Sequence, residues 1–306
     1  MTGTQVLNQT PQPQKSSRRQ FIRRTLFTLA GTAVIPSIGW AQSEPLIRIG
    51  LVTDLHYADT EPRGNRIYRE SLGKLADCIE VFKTHPVNVV IELGDFKDQD
   101  PQPEEQKTLA YLKTIEAQYQ QLGVPLYHVL GNHDMDSLSK AQFLETVKNT
   151  GIPQTQSYYS FDLQRVHCIV LDANFRHDGV AYNHGNYDWT DANLPPDELD
   201  WLKADLARTT LPTLVFTHQL LDGTGDVYVK NAKAVRTILE ESNRVRAVLQ
   251  GHHHAGQINT IQSILYYTLK SVVEGPGEEN NACAVVEVMP DAGLHVIGYF
   301  RAEGYE

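Results

Sequence analysis

Five apolar runs in this chain end in side chains that can bind a metal or carry a proton. Leu46–Thr53 runs into Asp54-Leu55-His56, and Val87–Leu93 into Gly94-Asp95. Val124–Leu130 runs into Gly131-Asn132-His133-Asp134, Leu211–Thr217 into His218, and Val245–Gln250 into Gly251-His252-His253-His254. Carboxylates and an amide oxygen together with imidazole nitrogens suit a divalent transition metal, and so many imidazoles disfavour an all-oxygen magnesium or calcium site. A single Gly-Asn-His turn carries little weight, and a lone histidine at a strand end is more often a satisfied core or loop residue than a ligand. Five such endings in one chain, using five of its twelve histidines, point to a metal centre.

The elements that must position these residues follow from periodicity. An apolar run that stops at a turn reads as a buried strand, and α/β proteins gather ligands at the carboxyl ends of their strands. Asp54 and His56 stand at i and i+2 on an extended end and can face one ion. Helical spacing is predicted over residues 68–83, 103–122, 137–149, 197–208 and 230–241, between the strands. A hairpin is predicted from Ser157–Leu163 and Val166–Leu171. Short strands close the chain at Gln257–Ile261, Ile264–Leu269, Ala282–Val288 and Leu294–Phe300. Strands alternating with helices, then a run of strands, predict an α/β fold of two packed sheets with helices outside. Two loops stand out. Residues 58–69 carry Arg63, Arg66, Tyr68 and Arg69 beside the first strand end, where an arginine could meet a phosphate. Residues 174–196 form a long loop rich in Asn, Asp, His, Tyr and Trp, a length that usually marks a binding loop.

The order Asp-x-His, Gly-Asp, Gly-Asn-His-Asp, His, Gly-His-x-His resembles the signature of the calcineurin-like metallophosphoesterases, over about residues 47–288. The resemblance implies a β-sandwich of two mixed sheets flanked by helices, with two metals at one end. It implies Asp54, His56 and His254 as ligands of one metal and Asn132, His218 and His252 as ligands of the other, with Asp95 bridging. It also implies His133 as the general acid, with Asp134 as its orienter, and a hydroxide between the metals as the nucleophile. Mixed nitrogen and oxygen ligands fit manganese, iron, cobalt, nickel or zinc, with manganese, iron and zinc foremost. The neighbouring His253 is left as structural or substrate-facing.

A narrower resemblance rests on Asp54-Leu55-His56-Tyr57-Ala58-Asp59, Tyr68-Arg69-Glu70-Ser71-Leu72, Tyr158-Tyr159-Ser160-Phe161 and Val170-Leu171-Asp172-Ala173. These look like the manganese-dependent ADP-ribose and CDP-alcohol diphosphatase branch, and imply a nucleoside diphosphate derivative as substrate. The chain departs from that branch at His56, where glutamine is common. It departs from the general pattern at Gln219-Leu220, where a proline commonly stands two residues after the histidine. Phosphomonoester hydrolysis, or a metal-binding module without catalysis, are the alternatives.

Residues 1–41 differ from the rest. Ser17-Arg18-Arg19-Gln20-Phe21-Ile22 precedes an uncharged stretch from Thr25 to Trp40 and a Gly39-Trp40-Ala41 cleavage pattern. This resembles a twin-arginine export signal, and the stretch is short for a bilayer span of about 20 residues. The expectation is a signal peptide over 1–41, a phosphoesterase domain over 42–306, passage through the twin-arginine machinery, and a periplasmic or secreted product with no stable membrane association. Removing the segment's five basic residues (Lys15, Arg18, Arg19, Arg23, Arg24) and no acids moves the net charge from −10 to −15. Such a surface repels nucleic acid backbones, whereas a small phosphorylated substrate remains admissible because a metal overturns the local field. Cys78, Cys168 and Cys283 lie in apolar stretches without the spacing of a zinc or redox motif, and read as buried small hydrophobes.

Overall fold

The apolar runs become the central strands of two sheets. The computed structural model describes residues 44–306, so the predicted signal peptide over 1–41 lies outside the described residues. The first sheet has the order β11 (Leu294–Phe300), β10 (Ala282–Val288), β1 (Ile47–Val52), β2 (Val89–Glu92), β3 (Leu126–His128). The second has the order β4 (Tyr159–Leu163), β5 (Val166–Val170), β6 (Thr213–Thr217), β7 (Val245–Gln250), β9 (Ile264–Thr268), β8 (Gln257–Ile261). Strands β1, β2 and β3 are mutually parallel, as are β5, β6, β7 and β9. Strands β4, β8, β10 and β11 run antiparallel to their neighbours, so both sheets are mixed, as expected.

Strand alternation sorts the core into three layers. Ile47, Ile49 and Leu51 of β1 face Phe216, Leu249 and Tyr267 across the gap between the sheets. The opposite face of the first sheet, with Val52, Val90 and Val285, packs on α1 (Ser71–Thr84), α2 (Glu105–Tyr119) and α3 (Lys140–Thr146). The outer face of the second sheet, with Ile169, Val215 and Val248, packs on α4 (Pro196–Arg208) and α5 (Ala232–Ser242). The result is a helix–sheet–sheet–helix sandwich in which all three cysteines are buried and free.

Among the elements shorter than expected, two lie beside the predicted ligands. The helix expected over 137–149 is only α3. Its start is set by a capping box between Ser139 and Gln142, and Val147 is already extended. The strand expected over 124–130 is assigned only at Leu126–His128; Val129 still donates to the Glu92 carbonyl at 2.8 Å, and from Leu130 the chain departs toward Gly131. Among the described residues no helix is long and apolar enough to cross a membrane.

Candidate metal centre

All five ligand-bearing strand ends lie at one end of the sandwich, because β1, β2, β3, β6 and β7 are parallel within their sheets. Backbone bonds knit the loops together. Asp54 and His56 donate their amides to the carbonyls of Gly94 and Asp95, at 3.0 and 2.8 Å. Gly251 donates to His218 at 3.1 Å, and Val273 to Asp54 at 3.1 Å. The approach is close enough to need glycine. At Gly131 a Cβ would overlap the backbone nitrogen and a carboxylate oxygen of Asp95, so only hydrogen fits. Four of the ligand residues carry left-handed backbone: Asp54 (φ 51°), His56 (46°), Asp95 (57°) and His252 (65°). Non-glycine residues rarely adopt this region, and such strain clusters where function requires it.

Six of the seven predicted ligands fall into two adjacent triads, and Asn132 lines the same cleft. His254 Nε2 lies 3.3 Å and His56 Nε2 3.7 Å from Asp54 Oδ1. Asp95 Oδ2 lies 3.5 Å from His56 Nε2 and 3.2 Å from His218 Nε2. His252 Nδ1 lies 3.2 Å from His218 Nε2. Two donors each about 2.1 Å from one ion sit about 3.0–3.4 Å apart at octahedral to tetrahedral angles; the separations of 3.2, 3.2 and 3.3 Å match that edge length, and those of 3.5 and 3.7 Å, both at His56, slightly exceed it. The sets Asp54/His56/His254 and Asp95/His218/His252 each have ligand atoms close enough to hold an ion, and Asp95 with His56 joins them.

The donor atoms themselves support the fit. Asp54 Oδ1, His56 Nε2 and Asn132 Oδ1 are buried without any hydrogen-bond partner. An orphaned buried acceptor costs about 1–3 kcal/mol, and three on one centre are accounted for if each binds a metal. The other ring nitrogen of three imidazoles is held by an acceptor, which aims Nε2 inward. His56 Nδ1 donates to Asp98 at 3.1 Å, His218 Nδ1 to the Leu93 carbonyl at 2.8 Å, and His254 Nδ1 to Glu274 at 2.7 Å. Burial opposes charge on His218, but Asp95 and Asp54 outweigh it and raise its pKa to about 9. Burial and the charge of His218 push His252 down to about 3.

His133 stands at the edge of this cluster, with its side chain 28% exposed. Its ring meets that of His56 edge-on, with centroids 4.7 Å apart. Its Nδ1 is 3.7 Å from both Asp98 Oδ2 and Asp136 Oδ2, and its Nε2 is 3.5 Å from Arg66 Nη1. Burial opposes its charge, while Asp95, Asp136 and Asp98 outweigh that and raise its pKa. Buried Lys97 bonds the His133 carbonyl and Asp136, which fixes the turn.

The expected orienting role of Asp134 is corrected here. Its carboxylate turns away from the His133 ring and accepts the amides of Gly131 (2.8 Å), Phe96 (3.0 Å) and Asp95 (3.1 Å). The 3-10 turn Asn132–Asp136 sends successive side chains in different directions, so chain neighbours do not share a face. Asp134 ties the β2 and β3 loops together, and Asp98 and Asp136 are the carboxylates facing His133.

Of the loop arginines, Arg66 lines the cleft above the cluster. Arg63 and Arg66 pair with Asp98 at 2.9 and 3.4 Å, whereas exposed Arg69 turns to Asp59 and Glu61. Tyr68 is buried under the Arg63 guanidinium. His253 contributes backbone bonds to its turn and does not line the cleft. The long loop returns over the site: His184 and Gly185 donate to Leu138 and Met135, and Trp189 reaches the cleft rim. The cleft encloses about 270 Å³ and is lined by Arg66, His133, Trp189, Val227, His252 and His254 above Asp95 and Asn132. Sequence reasoning missed Asp98, Asp136 and Glu274 as supports. Asp98 had a signal, three residues past a predicted ligand; Glu274 had none.

Comparison with known proteins agrees with this geometry. The calcineurin-like phosphoesterase family matches residues 47–256. A manganese-dependent ADP-ribose/CDP-alcohol diphosphatase of Danio rerio is 24% identical over 289 residues, covering 76% of this chain and 89% of that protein. The protein of the same name from Arabidopsis thaliana is 30% identical over 142 residues, 44% of this chain and 45% of its own. Among solved structures, a dimetal phosphatase from Danio rerio superposes with a TM-score of 0.75 at 23% identity, covering 86% of this chain and 98% of that one.

Proposed function

This chain belongs to the calcineurin-like phosphoesterase family, and on that premise we propose that it hydrolyses a small nucleoside diphosphate derivative at a pair of divalent metals, manganese foremost. One observation carries the reading: Asp95 Oδ2 stands between His56 of one triad and His218 of the other, beside buried donor atoms of Asp54, His56 and Asn132 that lack partners. Asp54, His56 and His254 would hold one metal, Asn132, His218 and His252 the other, and Asp95 both. When bound, the pair supplies Lewis acidity at the phosphoryl oxygens and makes water a nucleophile at neutral pH.

The chain's own side chains do the rest. His133 faces the departing oxygen and gives it a proton, with Asp98 and Asp136 holding the ring for that transfer. Arg66, beside His133 and open to the cleft, meets the charge of a second phosphate. The names of the curated relatives support a nucleoside diphosphate derivative over a simple monoester. The protein reaches its place of work by twin-arginine export, a reading supported by Ser17-Arg18-Arg19-Gln20-Phe21-Ile22. Fractionation of cells expressing the wild type and an Arg18→Lys/Arg19→Lys variant tests it; equal export of both would overturn it.

For substrate, the purified manganese-loaded protein is assayed on ADP-ribose, a CDP-alcohol, a phosphodiester and p-nitrophenyl phosphate. The highest kcat/KM is expected on the diphosphates. A monoester preferred by about tenfold or more, a difference near 1.4 kcal/mol, would overturn the substrate reading. Full activity of Asp95→Asn would overturn the mechanism.

A further inference from the structure

The cleft has two unlike walls above a common floor. On the His56 side stand His133 and Arg66, with 3.5 Å between His133 Nε2 and the guanidinium. On the His252 side stands Trp189, the indole centroid 5.9 Å from the His252 ring, and Val227 is the cleft's other apolar lining residue. Asp95 and Asn132 form the floor between them. Trp189 is 46% exposed, one of three large apolar side chains among the described residues left so open. The loop that carries it is anchored by other residues: Tyr182 stacks on Tyr187, and Ala192 and Leu194 are buried. An open indole face at the rim of a polar cleft suits a planar apolar group of the ligand, and every nucleobase offers one.

Resting on the function proposed above, we infer that Trp189 is the stacking platform for the substrate's base, and that it thereby fixes which of the two phosphorus atoms is attacked. The departing group must leave beside the proton donor His133, where Arg66 also waits for an anion. That wall therefore takes the second phosphate and whatever it carries. The apolar wall takes the base, so the phosphorus over Asp95 and Asn132 is the one esterified to the nucleoside. The oxygen of water bonds to that phosphorus. The bond from it to the bridging oxygen breaks, the electron pair stays on the bridging oxygen, and His133 gives that oxygen a proton. A proton lost by the attacking water restores His133. The products are a nucleoside monophosphate bearing the new oxygen and the phosphomonoester of the other half.

The test is hydrolysis of ADP-ribose in oxygen-18 water with mass analysis of both products. Label is expected in AMP and absent from ribose 5-phosphate. Label in ribose 5-phosphate overturns the orientation while leaving the hydrolytic reading intact. Turnover of monoesters without turnover of any nucleoside diphosphate derivative overturns that reading instead. Calorimetric titration of the manganese-loaded protein with AMP gives an independent readout. Trp189→Ala should weaken AMP by about 5- to 150-fold, the range that one stacked base contributes, while Trp189→Phe keeps most of the affinity and ribose 5-phosphate binds all three proteins alike. Unchanged AMP affinity in Trp189→Ala, or an equal loss for ribose 5-phosphate, overturns the platform.

Discussion

Adding one methyl group at Gly131 should disable the site while leaving the fold standing. The Cβ of Gly131→Ala would overlap the Asp95 amide nitrogen and Oδ1, and would sit 2.9 Å from Asp95 Cγ. Non-bonded carbons are comfortable at about 3.5–4.0 Å, so the carboxylate must retreat by about 1 Å. Gly131 is not among the glycines with positive φ, so the penalty is steric rather than conformational. Overpacking of this kind costs about 1–3 kcal/mol, and in a domain of this size each kcal/mol lowers Tm by about 2–4 °C. The greater effect is on chemistry, because a displacement of about 1 Å in a catalytic group costs on the order of 100-fold in rate. The moved group here is the one carboxylate that stands between the two triads, so metal content should fall as well. Steady-state kcat/KM in excess manganese, elemental analysis and thermal melts measure all three. Gly73→Ala is the control: it lies in α1 with nothing within 4 Å of the new Cβ, and should stabilise by about 0.5 kcal/mol without touching activity. If Gly131→Ala keeps its activity within about threefold, or Gly73→Ala loses as much as it does, close approach is not what the glycine provides.

His133→Ala should retain both metals and lose about 100- to 10,000-fold in rate, least for a p-nitrophenyl leaving group that departs without a proton. Loss of metal in that variant would make His133 a ligand. Asp98→Asn removes the carboxylate that receives His56 Nδ1, and should weaken metal by about 10- to 100-fold in a chelator competition; unchanged affinity would dismiss Asp98 as a support. Far from the site, His167 bonds Asp162 at 2.6 Å and Asp205 at 2.8 Å. Burial opposes its charge, but the two carboxylates outweigh it and raise the folded pKa above 6.5. Its contribution is therefore complete below pH 6.5 and declines as pH rises through the folded value. Denaturant melts of the wild type and His167→Gln should differ by about 2 kcal/mol at acidic pH, with the gap closing toward alkaline pH. A gap that widens with pH would refute the assignment.

The ligands were legible because each follows a run of apolar residues whose end is also the end of a strand. Asp54, Asp95, His218 and His252 needed only the period of two and the rule that parallel strands present their carboxyl ends together. The supports were not legible in the same way. Glu274 reaches His254 from the segment after β9, and Asp136 reaches His133 around a 3-10 turn. Side-chain direction in such segments depends on local dihedral angles rather than on a sequence period. Asp134 shows the same limit from the other side: adjacency to His133 suggested a partner, and the turn gave its carboxylate to three backbone amides. The over-long helix at 137–149 hid a capping box, Ser139-Lys140-Ala141-Gln142, that marks the true start. The long loop was expected to meet the site, but that Trp189 is the aromatic that lines the cleft depends on the loop's course, which its ties to Met135 and Leu138 help to set.

The left-handed backbone at Asp54, His56, Asp95 and His252 also bears on how this protein can change. A non-glycine residue held in that region costs about 1–3 kcal/mol, whereas glycine rests there freely. At each of these four positions, then, a glycine would relieve the backbone strain in the same substitution that removes the side chain predicted to bind metal. Selection for thermal robustness alone would erode the site, and a library screened only for melting temperature should be enriched in dead variants at these positions.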